Sequence, residues 1–143
     1  MGQTALFAAE SMPAVGLLVV AGADIEARDE NGNTPLTRAA YDGREAVVKY
    51  LLLEGAEKDS ISEKMRTPLH WAAEQGHSGV VRLLANVGAD RGAIDVQNQT
   101  PRDIAMEEGH QEIADILQWF KEKSATKTLH DRVKSGDTFP YGR

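Results

Sequence analysis

The chain of 143 residues contains no cysteine. That removes disulfides, thiolate nucleophiles and thiolate metal sites together. It also lacks a basic excess: 16 Lys and Arg stand against 22 Asp and Glu, a formal charge of −6. Bulk binding to nucleic acid or to anionic membranes needs the opposite sign. Long apolar runs are missing too. The longest, Ala14 to Ala23, is far short of the ~20 residues of a membrane span. The start, Met1-Gly2-Gln3-Thr4, has no charged segment of the kind that opens a signal peptide, and Leu6 spoils a myristoylation signal. The expectation is a soluble protein of the cytosol or nucleus. With 41% hydrophobic and 27% charged residues, the chain has ordinary globular composition.

What is present is a repeat. Thr34-Pro35, Thr67-Pro68 and Thr100-Pro101 fall at a constant step of 33 residues. Gly43, Gly76 and Gly109 keep that step, as do Gly22, Gly55 and Gly88, and Ala39, Ala72 and Ala105. Leu18, Leu51, Leu84 and Leu117 form a fifth such series. Thr before Pro reads as a helix start: the hydroxyl caps free N–H groups, and Pro at the first position loses no hydrogen bond. Gly43, Gly76 and Gly109 supply the left-handed residue that ends that helix. Val47, Val48, Leu51 and Leu52 are spaced as the apolar face of a second helix. Polar stretches such as Asp29-Glu30-Asn31-Gly32-Asn33 are turn formers. Each unit is thus a turn and a helical hairpin that cannot bury its apolar face alone, so the units must stack.

The run Thr67-Pro68-Leu69-His70-Trp71-Ala72-Ala73-Glu74-Gln75-Gly76-His77, followed by Val80-Val81-Arg82-Leu83-Leu84 and Gly88-Ala89-Asp90, closely resembles an ankyrin repeat. The resemblance spans about residues 2–123. It implies an all-α solenoid of about four stacked ankyrin repeats: a shortened N-terminal unit over 1–33, full units over 34–66 and 67–99, and a polar capping unit over 100–123. Thr4 to Thr34 is three residues short, with the loss around Glu10 to Pro13. Residues 124–143 form a tail with four basic and two acidic residues, read as flexible. One turn departs from the pattern. Met65 stands where Gly32 and Asn98 stand in the neighbouring turns, and Met hosts a left-handed backbone poorly. The expectation there is a relaxed turn of another type, with Met65 exposed.

No constellation for catalysis stands out, and no cofactor or metal is expected. His70 belongs to the helix-start motif, where the family uses it to brace the turn. His77 and His110 follow helix-ending glycines, and His130 lies in the tail. Asp29-Glu30-Asn31-Gly32 fails as a calcium loop, since Ala27 and Arg38 hold ligand positions. Asn98-Gln99-Thr100 reads as a turn and helix cap rather than a glycosylation site. The Glu107-Glu108 pair reads as two solvated charges on a helix face.

What the resemblance implies is a non-enzymatic protein-interaction module, with turns and short helices lining a concave face. The residues expected to meet a partner are Arg38, Tyr41, Asp42, Arg66, Trp71, Glu74, Gln75, Ile104, Glu107 and Glu108. Trp, Tyr and Arg are the types enriched at binding hot spots. For Tyr41 and Trp71, covering the stack is the competing reading. The expected partner is another protein or peptide, basic or amphipathic, with no nucleic acid, no membrane and a monomeric state. The alternative is a regulatory ankyrin fragment of a larger enzyme or channel, since Gly2-Gln3-Thr4 reads as the end of a turn.

Overall fold

The structure is a computed structural model that describes residues 24–125, with side chains through Lys121. Residues 1–23 of the shortened first unit and the tail beyond Ala125 lie outside the described residues. Six helices follow in three pairs: α1 (Pro35–Asp42) with α2 (Glu45–Leu53), α3 (Pro68–Gln75) with α4 (Ser78–Asn86), and α5 (Pro101–Glu107) with α6 (Gln111–Ala125). No strand occurs among the described residues. First helices stack on first helices, α1 on α3 and α3 on α5. Second helices stack likewise, α2 on α4 and α4 on α6.

Each first helix starts at its threonine for a visible reason. The Thr34 hydroxyl accepts the Thr37 N–H at 3.2 Å. Thr67 and His70 cap each other: the His70 N–H donates to Thr67 Oγ1 at 3.4 Å, and the Thr67 N–H donates to His70 Nδ1 at 3.1 Å. Thr100 and Asp103 repeat the exchange at 3.1 and 3.0 Å. The helices end in left-handed residues, with φ of 76° at Gly43 and 80° at Gly76. The Gly55 and Ala56 N–H groups reach back to Leu52 and Leu51, and Gly88 and Ala89 do the same to Ala85 and Leu84. These are paired carbonyl caps of the Schellman kind.

The core is one strip running through the stack. Leu36, Leu69, Ala40, Ala73 and Ala105 fill it from the first helices, and Val48, Leu51, Val81, Leu84, Ile116 and Leu117 from the second. The leucine series expected to face the inter-unit core does so at all three described positions, Leu51, Leu84 and Leu117. The small alanines let the first helices approach closely. The last helix, α6, is 15 residues long. It runs through Ala125, two residues past the limit expected for the fourth unit.

Neighbouring pairs are also joined through the backbone. The His77 ring donates from Nε2 to the Tyr41 carbonyl at 2.9 Å, and His110 donates to the Glu74 carbonyl at 3.1 Å. Gly43 has to be glycine twice over: its φ is positive, and a Cβ there would lie 2.6 Å from the His77 ring. His70 Nε2 reaches the Gln99 carbonyl at 2.9 Å. His77 and His110 therefore tie one unit to the next, and His70 ties its helix start to the following turn tip.

Candidate partner-binding face

Three turn tips stand in register beside the first helices. Each is closed the same way: the Asp29 N–H donates to Asn33, Ser62 to Arg66, and Asp95 to Gln99. The tips are laced edge to edge, since the Glu63 N–H donates to the Asn31 carbonyl at 3.1 Å and the Val96 N–H to the Lys64 carbonyl at 3.0 Å. In the outer tips an aspartate anchors the turn. Asp29 Oδ1 accepts the N–H groups of Asn31 and Asn33, and Asp95 Oδ1 those of Gln97 and Gln99, all at 2.9–3.0 Å. The middle tip has Ser62 in that place, and its hydroxyl donates to the Arg66 carbonyl instead. Without the two carboxylate bonds the tip takes another course. Lys64 and Met65 are both left-handed, with φ of 63° and 59°. The turn does differ in shape, as expected, but it is not relaxed: Met65 sits in a region that costs an L-residue about 1–2 kcal/mol.

Ser62 has a second task. Its oxygen accepts the Trp71 indole N–H at 2.9 Å. Trp71 meets Tyr41 edge to face, with ring centroids 5.7 Å apart and planes at 63°. On Trp71 also lies the Arg66 guanidinium, 4.7 Å from the ring centroid. That cation is buried and doubly paired, to Asp95 Oδ2 at 3.1 Å and to Glu74 Oε2 at 3.0 Å. Burial works against the charge on Asp95. Hydrogen bonds from the Gln99 N–H, Arg66 and the Gln97 N–H outweigh it, and hold the carboxyl below its ordinary range. Breaking a buried pair of this kind by removing one partner typically costs about 3–5 kcal/mol. Trp71 is thus fixed from three sides: an indole hydrogen bond, an edge-on ring and a neutralised guanidinium.

Beside this cluster opens a groove of about 360 Å³, lined by Asn31, Asn33, Thr37, Arg38, Tyr41, Glu63 and Trp71. Arg38, Tyr41 and Trp71, three of the residues expected to meet a partner, come together there. Asp42 adjoins them through Arg38, at 3.3 Å, and Arg44, at 3.8 Å. Gln75, Glu107 and Glu108 are exposed but lie outside the groove lining. Glu107 accepts a hydrogen bond from Gln99 Nε2 at 3.1 Å.

Two expected contacts need correction. Ile104 holds the position of Arg38 and Trp71 in its own unit, yet it is only 1% exposed. An apolar side chain gains free energy by being covered, and covered it offers nothing to a partner. Arg66 is 5% exposed, and its charge is spent on Asp95 and Glu74. It supports Trp71 rather than facing outward. The sequence reading missed Ser62 and Asp95 as members of the cluster. Their signal was the series Asp29, Ser62, Asp95 at the repeat step, in which only the middle member departs from aspartate.

A larger cleft of about 710 Å³ lies between the 88–92 loop and the end of α6, walled by Arg102, Asp103 and Lys121 among others. It contains none of the residues expected to meet a partner. Among the described residues no group of His, Asp and Glu is placed to hold a metal ion. No described helix is long and apolar enough to cross a membrane.

Helix pairs at a 33-residue step, threonine–proline starts and hydrogen-bonded turn tips are the marks of one repeat family, and comparison with known proteins agrees. The family model for ankyrin repeats (3 copies) matches residues 1–62 and 48–131. No curated protein matches the chain. Repeats of this family generally serve as protein–protein interaction modules and are typically non-catalytic. The chain belongs to the ankyrin-repeat family.

Proposed function

We propose that this chain is a non-enzymatic module that binds another protein or peptide in the groove between its turn tips and first helices. One observation carries the reading: Tyr41, 41% exposed, and Trp71 form a preorganised aromatic wall in a groove of about 360 Å³. Exposed large apolar groups in a concave site are what interfaces use as anchors. Rigidity matters as much as area, because binding loses less entropy when side chains are already fixed. The hydrogen bond to Ser62 and the Arg66 pedestal provide that rigidity.

The charge around the groove is more balanced than the bare sequence implies. Asp42 is engaged by Arg38 and Arg44, and Glu74 by Arg66. Glu63 in the groove, and Glu107 and Glu108 beyond it, remain free of ion pairs among the described residues. They favour a basic or amphipathic partner and steer its approach more than they add affinity.

The test is affinity capture with the full chain, quantified by mass spectrometry, for wild type, Tyr41→Ala with Trp71→Ala, and Leu53→Ser. Leu53 is an exposed residue of α2. Proteins retained by wild type and by Leu53→Ser, but lost with the aromatic pair, support the groove. A retained set that ignores the aromatic pair would show that binding lies elsewhere.

A further inference from the structure

The groove's lining specifies more than a partner of general basic character, and the following step rests on the groove being the binding site. Trp71 already receives one planar cation. The Arg66 guanidinium lies over its ring at 4.7 Å, and carboxylates of Asp95 and Glu74 complete the guanidinium at 3.1 and 3.0 Å. Aromatic surface plus carboxylate is a complementary seat for a guanidinium. On the groove side the same ingredients recur, with Arg38 as a cation at the edge of the same lining. Tyr41 and Trp71 supply the rings, and Glu63 supplies the carboxylate. The Glu63 carboxylate makes no hydrogen bond or ion pair among the described residues. The Asn31 side-chain amide in the same lining is also unengaged.

We infer that the groove receives an arginine side chain of the partner. Its guanidinium lies on the Tyr41 ring, pairs through two N–H groups with Glu63, and gives a further N–H to the Asn31 amide oxygen. A lysine ammonium fits less well, because it is a compact point charge that neither stacks nor makes the forked pair. Arg38 shares the lining, and its charge is only partly met by Asp42 at 3.3 Å. It opposes an incoming cation, so the geometry predicts opposite effects from two substitutions in one groove: Glu63→Gln weakens binding and Arg38→Gln strengthens it.

The experiment is a two-dimensional ¹⁵N–¹H NMR titration of the full chain with acetyl-Gly-Arg-Gly-amide and with its citrulline and lysine counterparts. Citrulline keeps the shape and loses the charge. The arginine peptide should shift the Trp71 indole N–H and the Asn31 side-chain amide. The other two peptides should bind several-fold more weakly. Glu63→Gln should lower arginine-peptide affinity about two- to fivefold, as expected of an exposed pair. Both substitutions are on exposed side chains, and unchanged peaks elsewhere will verify the fold. No response to the arginine peptide, an equal response to citrulline, or affinity unmoved by Glu63→Gln overturns the inference. If partner capture depends on Tyr41 and Trp71 but not on Glu63, the binding face stands and the arginine seat falls. If capture ignores all three, both readings fall.

Discussion

His70 is fully buried and uses both ring nitrogens: Nδ1 accepts the Thr67 N–H and Nε2 donates to the Gln99 carbonyl. Burial lowers its pKa below the ordinary 6.5, and the nearby Arg66 charge pushes the same way, against the Gln99 carbonyl and Asp95. Protonation would cost the Nδ1 acceptor and place a charge in the core. The folded state therefore binds this proton less readily than the unfolded chain. The stabilisation is complete above about pH 6.5 and is lost as pH falls toward the lower folded value. Urea unfolding of wild type should lose stability as pH falls below about 6.5, and His70→Gln, though weaker at neutral pH, should lose less over the same fall. Parallel losses in the two proteins would assign the acid sensitivity to other groups. Asp95, whose pKa is held down, acts in a separate and lower window, below the ordinary carboxylate value. Met65 offers a complementary test. Its φ of 59° matches the 65° of Asn98 in the next tip, and asparagine tolerates that region better than methionine. Met65→Asn should raise stability by about 0.5–1 kcal/mol, read as an increased urea midpoint with unchanged slope.

At the scale of elements, the second helices show which positions carry the stack. Leu84 of α4 is fully buried, whereas Leu53, the last residue of α2, is 75% exposed. Leu84→Ala should cost about 2–5 kcal/mol, and Leu53→Ala should stay within about 0.5 kcal/mol. Similar losses in urea melts would mean that the helix faces are misassigned. Glu74 is not a neutral surface control, because its carboxylate completes the buried Arg66. The contrast shows what was legible beforehand. Thr34, Thr67 and Thr100, the helix-ending glycines and the leucine series repeat at fixed spacing, since every unit solves the same backbone problem. Those residues forecast all three described helix pairs. The cluster around Trp71 obeys no period. Arg66 pairs with Asp95 across 29 residues and with Glu74 across 8, while Trp71 bonds Ser62 across 9. Such contacts depend on side-chain length and charge at single positions. Repeat position alone therefore brought out Tyr41 and Trp71, which line the groove, yet assigned the supporting Arg66 and the buried Ile104 to the partner.

At the scale of the whole molecule, stability is a chain of interfaces between neighbouring pairs, as in repeat proteins generally. The junction between the α3–α4 pair and the α5–α6 pair is held by apolar packing, and also by His110, which donates to the Glu74 carbonyl at 3.1 Å. Its ring would lie 2.9 Å from a Cβ on Gly76, so it fills the space that the glycine leaves. Arg82 adds an ion pair to Glu112 at 3.0 Å, but on the exposed side, where such pairs contribute about 0–1 kcal/mol. Replacing His110 by Ala removes the ring and leaves the Glu74 carbonyl without its donor. The weakened interface should let the terminal pair unfold before the central one, by the local opening expected of weakly coupled units. The two tryptophans are placed to report it, Trp71 in α3 and Trp119 in α6. Versions retaining one tryptophan each, with the other changed to Phe, should unfold together in urea when His110 is present. With His110→Ala, the Trp119 signal should move to lower urea than the Trp71 signal. Coincident transitions in the variant would show that the remaining contacts suffice to couple the pairs, and that the histidine contact adds nothing to the cooperativity of the stack.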